Sequence, residues 1–351
     1  MRGGPAIVTA LACAFFTSFT GGSGVTILAL GGLLLPVLRS SGYGERPALG
    51  LITSAGSLGM LFPPCLPIIL YSIVASQNAG AEGSVTMEEM FLGGLGPGLL
   101  LVGITAAWGM YIQPRVPESQ RHRFNLRAAM KALREAVWEM LLPVVALVAL
   151  FGGFATPVEA AAVTALYSFM VEVVFHRNLR ALKEAPRVML ECGMLVGGVL
   201  LIFGVALGFT NYLVDAEIPS QLVAWAMASV ESKWMFLLCL NLILLLVGGL
   251  IEIYAAIVVV VPLLVPLGVA FDIHPVHLGI IFLANMELGF LAPPIGLNLL
   301  LASYRFKKPL TEVMIAVLPM LFVLLLGVLL ITYFPPLTMW LPEFFSASGK
   351  G

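Results

Sequence analysis

Charged side chains are scarce in this chain, and their scarcity excludes a water-soluble fold. Only 11% of the 351 residues are charged and 60% are hydrophobic, whereas a soluble domain carries about a quarter charged residues to face water. The net charge of −1 offers no basic field for nucleic acid, so we expect no nucleic-acid partner. A mean hydropathy of +1.03 predicts an all-α protein that crosses a lipid bilayer several times.

Cysteine and histidine are also rare, which argues against a redox, metal or catalytic centre. The four cysteines lie in apolar runs without Cys-x-x-Cys spacing, as small buried hydrophobic residues do. His274 and His277 have a spacing that could ligate a metal, but a loop at a helix start explains them more simply. A membrane enzyme would need a nucleophile with a base, or His-Glu-x-x-His, within the membrane. We therefore expect neither an enzyme nor a bound cofactor.

Long apolar runs are what the chain has instead. Runs able to cross about 30 Å of hydrocarbon are expected at 5–38, 91–112, 141–174, 188–213, 234–251, 255–271 and 311–334. Glycines interrupt the first at Gly21–Gly24 and the third at Gly152-Gly153. A basic region from 113 to 139 ends in an amphipathic segment, Leu126 to Val137, that predicts a helix along the membrane interface.

An internal repeat relates the two ends of the chain. Gly59-x-x-x-Pro-Pro recurs 230 positions later as Gly289-x-x-x-Pro-Pro, and Pro36 and Pro266 are separated by the same offset. Apolar sequence has low complexity, so chance is the alternative explanation. We predict one transport domain over 1–351, with repeats at about 1–112 and 234–334 joined by basic segments and helices over 113–233. Gly248-Gly249 is the expected counterpart of the first glycine break. The sequence leaves open whether the copies are inverted.

The two Pro-Pro segments predict re-entrant hairpins at 48–75 and 276–304. The second has 29 residues, about 43 Å of helix, too short for two complete crossings. Proline stops a helix, and non-helical backbone at that depth is tolerated only where it lines a polar cavity. Bare carbonyls suit a hard cation and free amides suit a carboxylate. A pair of proline-kinked helices in a structural bundle is the alternative.

Three acidic residues fall within or beside apolar segments, where carboxylates are functional candidates. Glu159 follows Thr156 and Pro157 in a pattern typical of a capping box, which favours a structural role. Glu252 and Glu287 lie close to the glycines of the second repeat. Each could balance a cation, bind a proton or cap a helix.

Several motifs together resemble one transporter family. The chain is similar over nearly its whole length to the large membrane (DctM-like) subunit of TRAP (tripartite ATP-independent periplasmic) transporters. The residues that carry this resemblance are the two Gly-x-x-x-Pro-Pro motifs, Thr156–Val163, Pro262–Pro266, His274–Ile281 and Ile295–Asn298.

The resemblance implies an elevator-type permease in the bacterial inner membrane that imports C4-dicarboxylates or related organic acids with sodium. Its expected partners are a periplasmic solute-binding protein and a small TRAP membrane subunit. Carried over by motif, a first sodium site uses Thr20, Ser23, Gly59, Phe62 and Pro64. A second uses Gly249, Gly289, Ala292 and Ile295. Asn298, with Pro63 and Pro293, is the expected substrate contact.

The chain also departs from the family pattern. Gly22 stands where the family has serine, and Ala292 stands where threonine is common, so each site has one hydroxyl fewer. Family members usually have further transmembrane helices before the position of Met1. A sodium–dicarboxylate symporter without a binding protein, a structural assembly subunit and a non-transporting truncated fragment are therefore the alternative functions.

Overall fold

The computed structural model describes residues 3–78, 85–113, 126–151, 156–177, 180, 183–230 and 232–348. Across these ranges the secondary structure is helical, without a β-strand. Six helices there are long and apolar enough to cross a membrane, which confirms the expected all-α, multi-pass architecture. The chain divides into two compact units, residues 1–120 with 206–351, and residues 121–205.

Five helices form the first part of the larger unit: α1 (Gly4–Thr20), α2 (Ser23–Ser40), α3 (Glu45–Ala55), α4 (Leu66–Asn78) and α5 (Met87–Ile112). Its second part contains α10 (Ile218–Ser229), α11 (Lys233–Leu250), α12 (Ile253–Ala270), α13 (Pro275–Gly289), α14 (Leu297–Phe306), α15 (Leu310–Tyr333) and α16 (Pro336–Ser348). The helices α10 and α16 fall outside the apolar segments that the sequence predicted.

Residues 121–205 contain α6 (Leu126–Glu135), α7 (Val137–Phe151), α8 (Pro157–Met170, continued by a π turn to Phe175) and the start of α9 (Ala185–Asp215). The predicted amphipathic helix is α6. Trp138 stacks on Phe175 with ring centroids 4.4 Å apart, tying α7 to the end of α8. Thr156 and Glu159 form the predicted capping box, which confirms that part of the interpretation of Glu159. The predicted break at Gly152-Gly153 lies outside the described residues.

One end of the larger unit gathers the start of α1 and the ends of α2, α5 and α14. The Gly3 amide donates to Gln113 Oε1 at 2.6 Å, and the Tyr43 hydroxyl donates to the Gly109 carbonyl at 2.8 Å. Lys308 Nζ lies 2.9 Å from Glu45 Oε1, so the end of α14 meets the start of α3. We call this the first end.

The opposite, second end gathers the ends of α4, α12 and α15 and the starts of α5, α11, α13 and α16. Ser76 Oγ donates to the Val85 carbonyl at 2.6 Å, joining the end of α4 to the start of α5. Tyr71 in α4 donates to the Pro275 carbonyl at 3.2 Å, which places the start of α13 there. Three further contacts at this end are Lys233 Nζ with the Asp272 carbonyl, the Trp234–Tyr333 stack and His277 with Thr338.

These contacts show that the predicted Pro-Pro hairpins at 48–75 and 276–304 are wrong. The α3–α4 segment runs from the first end to the second, and the α13–α14 segment runs from the second end to the first. Each is therefore one interrupted crossing. The hairpins are instead α1–α2, which starts and finishes at the first end, and α11–α12, which does so at the second. Proline stops the helix, but it does not require the chain to reverse.

The 230-residue offset also relates helix boundaries. The last residues of α1 and α11 differ by this offset, and so do the first residues of α3 and α13. Both limits of α2 (Ser23–Ser40) and of α12 (Ile253–Ala270) differ by it as well. Because the two hairpins enter from opposite ends, the related halves are inverted, which supports the predicted repeat. The counterpart of Gly21-Gly22 is Ile251-Glu252 rather than the predicted Gly248-Gly249. In addition, α2 packs against α14 and α12 against α4, so the halves interlock.

An ion-pair network closes the first end. Glu45 contacts both Lys308 and Arg39, at 2.9 and 2.7 Å, and Lys308 also reaches Glu312 at 3.3 Å. The hydrogen bond from Lys308 holds the pKa of Glu45 below its usual value. The pKa of Lys308 is raised, mainly by the same hydrogen bond to Glu45 and next by the hydrogen bond to Glu312. The network therefore connects the start of α3 to the end of α14, where the two interrupted helices reach the first end.

Candidate functional site

The two hairpin tips and the two helix breaks meet in one central region of the larger unit. Tip 1 is residues 20–23 and tip 2 is residues 250–253, whereas break 1 is residues 56–65 and break 2 is residues 290–296. The Tyr254 hydroxyl donates to the Gly21 carbonyl at 3.0 Å and joins the tips. Asn298 Nδ2 lies 3.4 Å from the Thr53 carbonyl and joins the interrupted helices. All four unwound segments thus belong to one candidate site.

Break 1 (residues 56–65) is held closely against α1. A Cβ added to Gly59 would collide with the Ala14 carbonyl and lie 2.5 Å from the Ser18 amide nitrogen, so only glycine fits. The buried Thr17 hydroxyl donates to the Gly56 carbonyl at 2.8 Å. Short turns replace the helix here: the Phe62 amide donates to the Gly59 carbonyl at 3.1 Å. Each carbonyl oxygen has two lone pairs, so one such bond leaves room for a cation.

The structure brings together some residues of the predicted first sodium site. Ser23 is buried at the start of α2, and its carbonyl would lie 3.3 Å from a Cβ on Gly56. Gly59 is buried in the break, while Phe62 and Pro64 are half-buried. Thr20 is exposed, and its hydroxyl lies 3.4 Å from the Gly22 carbonyl. Ser23 and break 1 are therefore adjacent, whereas no contact ties the Thr20 hydroxyl to the break.

The predicted second site is a cluster of main-chain oxygens around Gly249. A Cβ on Gly249 would lie 3.6 Å from the carbonyls of both Ala292 and Pro293 and 3.7 Å from that of Gly289. The Gly249 carbonyl accepts from the Gly296 amide at 3.1 Å. Ile295, the fourth residue of the predicted site, is 44% exposed. Converging carbonyls are the ligands that hard cations prefer.

Asn298 is the buried side chain at the junction of the two interrupted helices. The backbone N–H of Asn298 donates to the Phe290 carbonyl at 3.1 Å. The side-chain Oδ1 atom is buried without a hydrogen-bond partner. Pro63 is buried in break 1, and Pro293 is exposed in break 2. An unpartnered buried oxygen carries a desolvation cost, which a bound ion or substrate would offset.

Glu252, His274 and His277 have structural partners. Glu252 Oε2 accepts from the Tyr254 amide at 2.9 Å and caps α12 at tip 2. His274 caps α13, and His277 Nδ1 lies 2.7 Å from Thr338 Oγ1, so the helix-start explanation holds for His274. Across the described residues no three His, Cys, Asp or Glu side chains form a metal cluster. Glu159 belongs to the separate unit of residues 121–205.

Sequence reasoning missed three residues that hold this region together: Thr17, Thr53 and Tyr254. The Thr17 and Tyr254 hydroxyls donate to the main-chain carbonyls of Gly56 and Gly21, and the Thr53 carbonyl accepts from Asn298 Nδ2. Their residue types alone gave no signal, because threonine and tyrosine are ordinary in membrane helices. Tyr254 is related by the 230-residue repeat offset to Gly24, in the first glycine break, and this relation would have been a clue.

Thr17→Val is expected to destabilise the protein by about 1–3 kcal/mol, because the change removes the buried hydroxyl that donates to the Gly56 carbonyl and lies 2.6 Å from Thr26 Oγ1. Thr9→Val on the same helix is the matched control. Both threonines are fully buried, but Thr9 donates only to the Pro5 carbonyl within α1. Thermal unfolding in detergent would measure both. Equal losses for the two variants would show that Thr17 does not support the break.

Comparison with known proteins gives one consistent result. The family described as "Tripartite ATP-independent periplasmic transporter, DctM component" matches residues 1–337. The "C4-dicarboxylate TRAP transporter large permease protein DctM" of Pseudomonas aeruginosa is 36% identical over 349 residues, 99% of this chain and 79% of that protein. The protein of the same name from Rhodobacter capsulatus is 34% identical over 97% of this chain and 79% of that protein. Less similar relatives are named for isethionate, ectoine and sialic acid.

The fold also resembles a solved transporter. The YdaH transporter of Alcanivorax borkumensis superposes with a TM-score of 0.64, covering 94% of this chain and 81% of that one. Sequence identity is 13%, so this likeness concerns the fold alone.

Proposed function

The chain belongs to the DctM component family of tripartite ATP-independent periplasmic transporters, and from that premise we propose that it imports organic acids by sodium-coupled secondary transport. Its relatives are transporter permeases rather than enzymes. Two of them are named for C4-dicarboxylates, which makes these acids, or related carboxylates, the proposed substrates.

The observation that carries the sodium proposal is the carbonyl cluster around Gly249. Main-chain oxygens of Gly289, Ala292 and Pro293 surround one glycine, within a region that also holds break 1. Ala292 offers no hydroxyl, so this second site depends on carbonyls alone. The first site is proposed at Ser23, Gly59, Phe62 and Pro64, with Thr20 from the tip.

The same region offers positive helix ends to an anion. Four helices begin there, α2, α4, α12 and α14, and a helix N-terminus carries about half a positive charge. Glu252 already caps α12, which leaves three N-termini for a substrate carboxylate, beside Asn298, Pro63 and Pro293. Sodium and carboxylate would then stabilise one another at one site, which is a physical basis for coupling.

The inverted halves support an elevator mechanism. Two halves with the same architecture and opposite orientations can each adopt the conformation of the other. This exchange gives two states of similar energy, as in inverted-repeat transporters. The interlocked α2–α14 and α12–α4 pairs would move as one body. The small membrane subunit and the periplasmic binding protein are the proposed partners in the inner membrane.

Basic residues set the proposed orientation. Among the residues that the structure describes, the first end holds Arg39, Arg46, Arg305, Lys307 and Lys308. Cytoplasmic segments carry an excess of lysine and arginine, so we place the first end in the cytoplasm. The second end would then face the periplasm and receive the binding protein.

Reconstitution in proteoliposomes tests this function. Uptake of a C4-dicarboxylate is expected to need an inward sodium gradient, the small subunit and the cognate binding protein, because each is part of the proposed cycle. Replacing sodium by potassium at equal ionic strength is the control. Uptake that persists in potassium would contradict sodium coupling, and uptake without the binding protein would favour the simple symporter.

A further inference from the structure

Two neighbouring cavities lie at the first end of the larger unit, where the chain passes from α14 to α15. The outer cavity has a volume of about 620 Å³ and is lined by Ser303, Tyr304, Arg305, Lys307, Lys308 and Pro309. The inner cavity has a volume of about 250 Å³ and is lined by Leu291, Pro293, Thr311, Met314, Ile315 and Leu318. The second lining begins two residues after the first ends on α15, so the cavities follow one another along the chain.

The outer cavity carries positive charge that no acidic side chain balances. Lys308 belongs to the ion-pair network of the first end. Arg305 and Lys307, in contrast, form no ion pair with any residue that the structure describes. The Arg305 guanidinium lies over Gly32 of α2, where an added Cβ would collide with it. An anion in this cavity would therefore meet two cations without a competing partner.

The inner cavity is mainly apolar and extends through one leaflet. Its residues on α15 have the i, i+3, i+4, i+7 spacing of one helix face, and they cover about 10 Å of the helix. Break 2 forms the opposite wall. The ten residues of α14 separate break 2 from the first end, a length of about 15 Å, which is half of a hydrocarbon core of about 30 Å. Ile315 and Leu318 are 54% and 39% exposed, so the cavity is open to the surroundings of α15.

The order of the two cavities distinguishes between possible occupants. A soluble dicarboxylate would match the cations but not the apolar cavity below them. A helix of another subunit would match the apolar cavity but would leave both cations without a counter-charge. An anionic phospholipid has a phosphate and, directly below it, acyl chains that span one leaflet. Basic residues are common in the last turn of a helix, so it is the pair of cavities, rather than the cations alone, that selects a lipid.

We propose that the two cavities together bind one anionic phospholipid. Its phosphate lies between Arg305 and Lys307, and one acyl chain lies along α15 and reaches Pro293 in break 2. Anionic lipids give the cytoplasmic leaflet its negative surface potential, and this is the side on which we place the first end. The lipid would border the candidate site, but its binding does not depend on sodium coupling.

The charge requirement can be tested by titrating the delipidated full chain in detergent with phosphatidylglycerol or phosphatidylcholine and measuring the first bound lipid by native mass spectrometry. The wild-type protein is expected to prefer phosphatidylglycerol at least about tenfold, since each cation contributes about fivefold near an anionic lipid. Arg305→Gln combined with Lys307→Asn should abolish this preference. Asparagine tolerates the left-handed backbone of Lys307, whose φ is 52°. Arg46→Gln, an exposed cation at the same end that lines neither cavity, is the control.

The acyl-chain requirement has a separate pair of variants. Ile315→Trp narrows the inner cavity and should weaken phosphatidylglycerol binding at least about fourfold, the contribution of one buried methylene. Leu326→Trp, at an exposed position of α15 outside the cavity, should leave binding unchanged.

Four outcomes would overturn the proposal. Two are equal affinities of the wild-type protein for the two lipids and an unchanged preference in the double variant. The third is thermal stabilisation by inorganic phosphate equal to that by phosphatidylglycerol, which would indicate a site for soluble anions. The fourth is loss of the bound lipid when the small membrane subunit is added, which would assign this face to that subunit.

Discussion

Gly59→Ala and Gly289→Ala are expected to reduce uptake at least about tenfold, equivalent to about 1.4 kcal/mol or more. A Cβ at Gly289 would lie 2.5 Å from Gly248 Cα, and one at Gly59 would lie 2.5 Å from the Ser18 amide nitrogen. Both obstacles are backbone, so the break must shift, at a typical cost of about 1–3 kcal/mol. The shift would move the carbonyls proposed to bind sodium.

Gly103→Ala in α5 is the matched control for both variants. No atom lies within 4 Å of the position its Cβ would occupy, so uptake and stability should remain those of the wild-type protein. Sodium-dependent uptake and thermal stabilisation by sodium would be measured for all three. Normal sodium affinity in Gly289→Ala would show that the second site does not depend on the close packing of α11 against α13.

Asn298→Leu is expected to reduce uptake with little change in stability, whereas Asn241→Leu is expected to reduce stability. Asn241 Oδ1 accepts from Asn285 at 2.7 Å and from Thr332 at 3.0 Å, so its loss should cost about 1–3 kcal/mol of stability. Asn298 has one long side-chain hydrogen bond and an unpartnered oxygen at the central region. Its replacement should leave stability nearly unchanged and reduce uptake at least about tenfold, since the proposed substrate contact is lost.

Each asparagine variant is the control for the other, because both residues are buried and both changes are the same. Thermal unfolding and sodium-driven uptake would be measured side by side. A variant of Asn298 that unfolds early but transports normally would place the residue among structural contacts and contradict the proposed role.

The helices could be predicted from the sequence because they depend on local properties. Apolar runs and glycine breaks placed α1, α2, α5, α11, α12 and α15 within a few residues. The direction of α4 and α14 could not be predicted in this way. A proline pair ends a helix whether the chain then returns or continues, and that choice depends on distant contacts such as Tyr71 with Pro275.

The candidate site was predictable to the extent that glycine marks close backbone approach. Gly59 and Gly289 were recognised by motif, and a Cβ at Gly59 or Gly289 would lie 2.2 or 2.5 Å from main-chain atoms. Gly249 was also recognised, but a Cβ there would make ordinary contacts of 3.6–3.7 Å with three carbonyls. Tyr254 and Thr17 were not recognised, because a hydrogen bond to a remote carbonyl leaves no periodic trace.

The exchange of packing partners between the halves has a consequence for how the protein is made. Helix α2 is synthesised early, yet its partner α14 emerges from the ribosome only after residue 306. During that interval the first hairpin and its unwound neighbour are already inserted with their polar backbone uncovered. We therefore expect the first half to reach its final packing only after α14 (Leu297–Phe306) has been synthesised.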